Sequence, residues 1–272
     1  MNAKSPSQRL SALRDKIAEQ GLDGFVVPHS DAHQNEFLPP DAERLSWLTG
    51  FTGSAGTAVV LADRAAMFVD GRYTLQVRDQ VDGALYEFHH LIEAPVADWL
   101  GGVLRQGMRL GVDPWLHTQA GVQRLRNSAE AAGVALILVE TNPVDAVWDD
   151  QPPPPSAPAV PHDEQFAGRS SAHKRRSLGE ALAQEELDAA VLTQPDSIAW
   201  LLNVRGGDVA HTPLALSFAI LDADGTVDWF VAPEKRSDAL IAHLGSEVEM
   251  RDPEAFAGAL DGLKDRRVLV AP

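Results

Sequence analysis

The sequence predicts a mixed α/β fold that is built twice along the chain. Three observations support this: the hydrophobic residues alternate between helical and strand spacing, a proline-rich run divides the chain, and the same order of elements returns after it. The 272 residues suit two domains of ordinary size, and 44% of them are hydrophobic, which lets each domain bury a core. We therefore expect two α/β modules, each with helices packed around one sheet.

The first half of the chain carries alternating helix and strand patterns. Ser5-Pro6 precedes apolar residues at helical spacing and predicts a helix that ends at Gly21. Short apolar runs and turn residues then predict further strands and helices in turn. The predicted strands are 24–28, 57–61, 66–69, 84–88, 110–112 and 136–139, and the later predicted helices are 73–80, 96–105 and 119–132.

Prolines concentrate between Asn142 and Pro161. Because proline fixes φ and lacks a backbone N–H, such a run excludes a helix or a central strand and favours an extended connector. The predicted organisation is therefore a first domain over 1–141, a proline-rich linker over 142–165 and a second domain over 166–272.

The elements of the first module recur in the second. The matching segments are 19–27 with 184–192, 47–48 with 200–201, 57–69 with 214–231, and 109–114 with 267–272. The same order of elements twice indicates duplicated modules. The first module continues with one more helix and strand, so we expect the second domain to be incomplete at its C-terminal end.

Composition narrows the class of protein. The chain has no cysteine, which excludes a disulfide scaffold and a cysteine nucleophile and fits a reducing compartment. A net charge of −16 disfavours nucleic acid and anionic membranes as partners. The sequence shows no signal peptide and no apolar run of bilayer length. We expect a cytoplasmic protein.

A glycine-rich loop and a histidine-containing loop are the first two candidate sites. Gly50 to Gly56 predicts either a tight turn that leads into the next strand or a loop presenting Ser54 as a nucleophile. The segment Pro28 to Glu36 contains His29, Asp31, His33 and Glu36. That set predicts either metal ligands or a polar loop that lines a cleft, and the second interpretation is favoured because no helix aligns the two histidines.

Two arginine-containing segments complete the candidates. Asp70-Gly71-Arg72-Tyr73 stands where a strand ends and a helix begins. Asp70 could cap the helix with Arg72 in a surface ion pair, or Arg72 could offer its fork to a peptide carboxylate or a facing domain. The segment 203–213 presents Arg205, Asp208 and His211 on a polar loop. It has no nucleophile, and the chain carries no zincin, P-loop or hydrolase-elbow motif.

These stretches resemble the long, three-domain Xaa-Pro aminopeptidases of the creatinase/prolidase superfamily. The resemblance covers essentially the whole chain in collinear order. It is carried by the segments 28–36, 50–58, 66–73, 111–114, 144–148 and 198–209.

The resemblance implies two tandem creatinase-like N-terminal domains with a ribonuclease-H-like mixed sheet, followed in the family by a pita-bread catalytic domain. In the family that domain holds two divalent ions, usually manganese, and removes the residue that precedes proline in proline-containing peptides. The N-terminal domains are similar to modules that shape the substrate entrance and contribute to a homodimer. No metal ligand of the family matches a position of this sequence.

The resemblance also suggests roles for individual residues. Glu36 and Arg72, with Asp70 and His33 beside them, are implied to meet the substrate or a neighbouring domain. Arg205, Asp208 and His211 are implied to line an interdomain face.

Three hypotheses follow for function. The leading one is the non-catalytic N-terminal region of a metal-dependent Xaa-Pro aminopeptidase, inactive alone. The alternative is a free-standing, non-catalytic creatinase-like module that binds peptide or protein. An independent hydrolase using His29, His33 and Glu36 has only the spacing of those residues in its favour.

Overall fold

The computed structural model of the protein describes residues 4–271, which fall into two units, 4–153 and 154–271. Within the described residues, no helix combines the length and apolar character that crossing a bilayer requires. The boundary after Pro153 lies inside the predicted linker. The predicted domain limits stay a prediction.

The first unit is a six-stranded mixed sheet with helices on both faces. Its strands are β1 (Gly24–Pro28), β2 (Gly56–Leu61), β3 (Ala65–Val69), β4 (Glu87–His90), β5 (Arg109–Val112) and β6 (Ala135–Leu138). Its helices are α1 (Pro6–Glu19), α2 (Arg44–Thr49), α3 (Gln76–Gln80), α4 (Val96–Val103) and α5 (Gln119–Ala131). The strand order is β4-β3-β2-β1-β5-β6, and only β2 runs against the other five.

Alternation along the strands decides which face each helix covers. In β1 and β2, Phe25 and Val60 point to the core that α1 and α2 share, whereas Val26 and Val59 point to the core beneath α4 and α5. Because successive strand residues point to opposite faces, strands buried on both sides read as continuous apolar runs. The predicted sandwich around one sheet is confirmed for this unit.

Most predicted elements are confirmed to within one or two residues, and two begin three residues later than predicted. Helix α1 begins at Pro6 behind a capping box made by Ser5 and Gln8, as Ser5-Pro6 predicts. Helix α3 begins only at Gln76, because the preceding residues form turns around Asp70. Strand β4 begins at Glu87 rather than at residue 84, because Asp82 accepts from the Ala84 N–H and holds that segment as a turn.

The start of the proline-rich run packs on the first unit. Trp148 stacks on Trp47 at 5.3 Å between ring centroids, and both rings are buried. Arg44 makes a two-pronged ion pair with Asp145 at 2.7 and 2.9 Å. These side chains fix residues 144–148 against α2, and the extended prolines follow them.

The second unit has a five-stranded sheet and a small two-stranded one. Its strands are β7 (Val160–Pro161), β8 (Ala189–Leu192), β9 (Val204–Arg205), β10 (Phe218–Asp222), β11 (Val227–Phe230), β12 (Val248–Arg251) and β13 (Val268–Leu269). Its helices are α6 (Glu164–Ala167), α7 (Ser171–Gln184), α8 (Pro195–Leu202), α9 (Asp238–Leu244) and α10 (Ala255–Asp261). The larger sheet has the order β12-β11-β10-β8-β13, and β7 pairs with β9.

The two larger sheets share one pattern of pairing, which confirms the predicted repeat. In each, the first strand pairs antiparallel with a hairpin strand and parallel with the strand after it, as β1 does with β2 and β5 and as β8 does with β10 and β13. The second hairpin strand then pairs parallel with the outermost one. Among the described residues, β6 has no counterpart in the second unit.

Candidate functional site

Three loops of the first unit meet at the edge of the sheet where β1 and β3 end. The His29 N–H donates to the Gly56 carbonyl and ties the loop after β1 to the start of β2. The Ser54 hydroxyl donates to Glu36 Oε1 at 3.2 Å and lies 2.9 Å from the Tyr73 phenol oxygen. The structure thus joins a residue from each of three candidate segments in one hydrogen-bonded cluster.

Glycines in the middle loop allow this approach. Gly50 adopts φ +86° at the end of α2, where a left-handed residue closes the helix. Gly53 is needed for space instead, since a Cβ there would come within 2.8 Å of the Tyr73 ring. The turn interpretation of this loop is therefore supported, although a positive φ explains only Gly50. The proximity of Ser54 and Tyr73, 19 residues apart, has no signal in the local sequence beyond these glycines.

Arg72 and Asp70 form a local ion pair beside the cluster. Arg72 donates through Nε at 3.0 Å and through its terminal nitrogen at 2.8 Å to Asp70 Oδ2. These hydrogen bonds lower the pKa of Asp70. The Arg72 side chain is still 61% exposed, and its guanidinium lies 5.2 Å from the Tyr73 ring centroid. The prediction that Asp70 caps the helix is wrong, because α3 begins only at Gln76 and Leu75 occupies its N-cap position. The surface ion pair is present, and an outward role for Arg72 stays open because the ion pair leaves part of the fork facing outward.

The phenol of Tyr73 has a lowered pKa in this cluster. The hydrogen bond with Ser54 lowers the pKa of Tyr73, and the nearby Arg72 contributes in the same direction. A hydroxyl chain from Tyr73 through Ser54 to the Glu36 carboxylate can accept or donate hydrogen bonds to a bound peptide. A serine bonded to a carboxylate and a phenol, without a histidine base, is suited to binding rather than to acyl transfer.

Hydrogen bonds to the Asp31 carboxylate hold the histidine-containing loop. The buried Asp31 carboxylate accepts from the His33 N–H at 2.9 Å, from the Asn35 N–H at 3.0 Å and from the Asn35 side chain at 2.8 Å. His29 Nε2 lies 3.1 Å from the Glu36 carbonyl oxygen. Among residues 4–271, no group of three His, Cys, Asp or Glu side chains could hold a metal ion. These hydrogen bonds support the polar-loop interpretation of the segment.

In the second unit, Asp208 is buried by its own loop. Its carboxylate pairs with the buried Lys235 at 2.5 Å and accepts the Leu216 N–H at 2.6 Å. Lys235 also donates to the Leu216 carbonyl at 3.1 Å. Asp208 therefore anchors the loop within this unit, and its suggested role at an interdomain face stays a prediction.

Arg205 and His211 lie on the outside of the same loop. Arg205 donates to the Val204 carbonyl at 2.9 Å and has no carboxylate partner among the described residues. His211 is exposed and adopts φ +60°. Arg205, Asp208 and His211 form no joint hydrogen-bonded set in the part of the chain that the structure describes.

A buried lysine near Arg205 was missed at the sequence level. Lys174 donates to the Trp200 carbonyl at 2.9 Å and to Asn203 Oδ1 at 2.6 Å, and it lies 4.5 Å from the Trp200 ring centroid. Burial lowers the pKa of Lys174, with a smaller contribution from Arg205. Nothing in the helical pattern of α7 distinguishes the buried Lys174 from the exposed Arg176 of the same helix.

Comparison with known protein families identifies the fold. The creatinase/prolidase N-terminal domain matches residues 9–144, and a second model with the same description matches residues 150–272. The chain belongs to the creatinase/prolidase N-terminal domain family. Both units are therefore creatinase/prolidase N-terminal domains, as the resemblance in the sequence implies.

Two relatives of similar sequence extend the comparison. The chain is 34% identical over 98% of its length to a probable Xaa-Pro aminopeptidase P of Aspergillus niger, of which it covers 44%. It is 34% identical over 95% of its length to aminopeptidase P2 of Arabidopsis thaliana, of which it covers 37%. The chain thus spans less than half the length of these relatives.

A solved structure shows the same fold over the whole chain. An X-prolyl aminopeptidase from Caenorhabditis elegans, described as a cytosolic enzyme with a di-nuclear active site, superposes with a TM-score of 0.90 at 28% identity. The superposition covers 98% of this chain and 47% of that one. Both creatinase/prolidase N-terminal domains are therefore similar to the corresponding part of that enzyme.

Proposed function

We propose that this chain is the non-catalytic N-terminal region of a metal-dependent Xaa-Pro aminopeptidase, which removes the first residue of a peptide when proline is second. The observation that carries the proposal is the likeness to the Caenorhabditis elegans X-prolyl aminopeptidase, with a TM-score of 0.90 over 98% of this chain. The relatives named Xaa-Pro aminopeptidase P and aminopeptidase P2 support the same assignment.

The metal belongs to another part of the enzyme in this proposal. No group of candidate ligands gathers among residues 4–271, and the similar enzyme is described with a di-nuclear active site. We place two divalent ions, with manganese expected, in a pita-bread catalytic domain beyond the two units. Bound there, such ions would supply an activated water and polarise the scissile carbonyl.

The role proposed for the first unit is to shape the substrate entrance and contribute to dimerisation. The Glu36–Ser54–Tyr73 cluster and the exposed Arg72 present acceptors, donors and a positive charge on one sheet edge. A peptide substrate offers backbone amides and charged termini that such groups bind. We propose proline-containing peptides as the substrates and the cytoplasm as the location, in keeping with the cytosolic relative.

The test compares the complete reading frame with the 272-residue chain. With Mn²⁺, the product of the complete reading frame should release arginine from Arg-Pro-Pro but not from Arg-Ala-Pro, and a chelator should abolish release. The present chain alone should release nothing under the same conditions. Cleavage by the chain alone would contradict a non-catalytic role, and inactivity of the complete product would favour the free-standing binding module.

A further inference from the structure

The segment 202–205, which joins α8 to β9, is where several elements of the second unit meet. His243 of α9 places its Nε2 3.0 Å from the Leu202 carbonyl oxygen. Arg205 pairs with Val160 in the small sheet of β7 and β9, and α9 packs on β7. Helices α8 and α9 and strands β7 and β9 are therefore held together around one short turn.

Helix α6 joins the same turn through His162. The His162 N–H donates to the Asn203 carbonyl at 2.7 Å, and the His162 ring centroid lies 5.9 Å from that of Phe166. The elements around the turn carry four large hydrophobic side chains with high exposure: Val160 (48%), Phe166 (73%), Trp200 (52%) and Ile241 (53%). We call these four side chains the Trp200 face. Exposed apolar side chains that are grouped in this way mark binding surfaces of soluble proteins.

A positive charge lies beneath the exposed indole of Trp200. Lys174, which is 4% exposed, has its ammonium 4.5 Å from the Trp200 ring centroid and donates to the Trp200 carbonyl and to Asn203 Oδ1. These hydrogen bonds complete the C-terminal end of α8, so Lys174 offers a ligand its charge rather than a direct contact. Because the indole is still 52% exposed, the rest of its surface is open to a ligand.

Arg205 adds a second positive charge near the first. Its guanidinium is close enough to Lys174 to lower the pKa of that ammonium, after the larger effect of burial. Arg205 is half-buried and donates to the Val204 carbonyl at 2.9 Å. Among the described residues, neither cation has a carboxylate partner. Two such cations attract an anionic group, and a guanidinium binds a carboxylate through two parallel N–H donors.

An indole beside a guanidinium fits the carboxyl-terminal end of a proline-containing peptide. Proline-rich segments dock on exposed aromatic rings, because their extended backbone is already ordered before it binds. Proline has no N–H, so prolines on the apolar Trp200 face need no hydrogen-bond acceptor there, and the terminal carboxylate pairs with Arg205. A tripeptide in this conformation is about 9 Å long, comparable to the range of about 10 Å over which charges interact in salt. Arg205 lies within that range of the ammonium beneath the indole.

We propose that Trp200 and Arg205 form a binding site for the carboxyl-terminal end of proline-containing peptides, with prolines on the Trp200 face and the terminal carboxylate on Arg205. The choice of proline peptides rests on the proposed function. Binding is measured on this chain without catalysis, so the site can fail while the peptidase assignment stands, and the assignment can fail while the site binds.

Titration of the ¹⁵N-labelled chain with acetyl-Pro-Pro-Pro tests the site. The peptide has a free carboxylate but a blocked N-terminus, so it offers no first residue to remove. The chain has six tryptophans, and Trp200→Phe identifies which indole N–H signal belongs to Trp200. This signal should shift saturably with a dissociation constant of about 0.1–1 mM, as expected of two modest contacts. The C-terminal amide of the peptide should bind at least about tenfold more weakly, because it loses the charge-assisted hydrogen bonds to Arg205.

Two variants separate the indole contact from the guanidinium contact, with binding followed by calorimetry. Trp200→Ala should weaken binding of both the acid and the amide, whereas Arg205→Gln should reduce binding of the acid to that of the amide. The matched controls are Trp115→Ala, at an exposed tryptophan of the first unit, and Arg176→Gln, at an exposed arginine of α7. Both controls should bind as the wild type does. Circular dichroism checks that each variant is folded.

The prolines and the carboxylate must both contribute to binding. Acetyl-Ala-Ala-Ala should shift the Trp200 signal much less than acetyl-Pro-Pro-Pro, and inorganic phosphate at the same concentration should shift it little. If the alanine peptide or phosphate binds as tightly as acetyl-Pro-Pro-Pro, the site is a general anion contact and the proposal is overturned. Equal binding of acid and amide, or no saturable shift up to about 10 mM peptide, would also overturn it.

Discussion

The Ser54 hydroxyl lies 2.9 Å from the phenol oxygen of Tyr73 and connects two loops whose residues are 19 positions apart. The contact brings the glycine-rich loop and the Asp70–Tyr73 segment into one cluster with Glu36. It also lowers the pKa of Tyr73. The chain has only two tyrosines, so this relationship can be measured directly.

The ultraviolet absorbance of the two phenols should titrate in two separate steps. Tyr73 should ionise below the usual tyrosine value of about 10, because its hydrogen bonds with the side chain and backbone of Ser54 lower the pKa of Tyr73. Burial raises the pKa of Tyr86, so its step should come later. Ser54→Ala should move the first step upward and leave the second in place, whereas Ser177→Ala should change neither. A first step that stays in place in Ser54→Ala would show that another group stabilises the phenolate.

Alkaline pH should destabilise the fold through Tyr86. Its hydroxyl is buried without a hydrogen-bond partner in the described part of the chain, and burial raises the pKa of Tyr86. Since the unfolded chain releases this proton near pH 10 while the folded chain keeps it, the contribution is complete below about pH 10 and falls above it. The slope of the unfolding free energy above that pH should be shallower in Tyr86→Phe by up to about 1.4 kcal/mol per pH unit.

Urea unfolding at several pH values measures the predicted difference in slope between the wild type and Tyr86→Phe. Tyr73, whose pKa is lowered in the folded chain, contributes in the opposite sense: its stabilisation grows as the pH rises toward about 10 and is constant above that pH, so Tyr73→Phe should remove this gain and leave the slope above about pH 10 unchanged. Identical slopes for the wild type and Tyr86→Phe would show that the buried phenol does not govern alkaline unfolding. At neutral pH, Tyr86→Phe should be nearly neutral, because it removes an unsatisfied hydroxyl from the core.

Arg72→Ala should lower the activity of the complete enzyme more than the stability of this chain. The Arg72 side chain is exposed and its pair with Asp70 is local, so the melting temperature should change little. A guanidinium that meets the peptide should lower kcat/KM when removed. Arg78→Ala, another exposed arginine of the same region, is the control. An unchanged kcat/KM in Arg72→Ala would remove Arg72 from the candidate site.

Breaking the buried pair in the second unit should be costly. Asp208→Ala would leave the Lys235 ammonium buried without its carboxylate, which costs about 3–5 kcal/mol in comparable pairs. The double variant Asp208→Ala with Lys235→Met should recover part of that loss. Urea unfolding measures both, with Glu186→Ala as the control, because the Glu186–Arg267 pair is exposed and worth under about 1 kcal/mol. Equal losses in Asp208→Ala and the control would contradict the assigned role.

Trp148→Ala should destabilise the first unit although it lies in the proline-rich run. The buried Trp148 ring stacks on Trp47 at 5.3 Å, and truncation of a buried aromatic residue costs about 3–5 kcal/mol. Trp115→Ala provides a tryptophan control at a position that is 48% exposed, where the loss should be clearly smaller. Equal thermal shifts in the two variants would show that residues 144–148 are not part of the core.

Several features of the fold were predictable because their signals are local. A capping serine with proline behind it predicts the start of α1, and apolar runs flanked by turn residues predict β1, β2 and β3. The repeat was visible for the same reason, since each module repeats its own local pattern. The late start of β4 was not predictable, because the turn after Asp82 competes with strand-forming residues.

The candidate site was predictable only in part. Glu36, Arg72 and Asp70 stand in recognisable segments, but their meeting through Ser54 and Tyr73 depends on the pairing of β1, β2 and β3. Asp208 shows the opposite outcome: the sequence predicts a polar loop, whereas the Asp208 carboxylate is fixed inside the unit by Lys235, 27 residues away. Such long-range pairs leave no periodic signal along the chain.

The sequence by itself determined the fold class, the duplication and the family, because periodicity, caps and collinear motifs are properties of neighbouring residues. The tertiary structure alone decided which polar residues meet at the edge of the first sheet where β1 and β3 end, which charges are buried and which hydrophobic side chains remain exposed. These depend on strand order and direction, since five strands of the first sheet run in the same direction and place their ends and the following loops on the same edge. Burial and proximity arise when distant segments pack, and that packing sets the pKa values of Tyr73 and Tyr86.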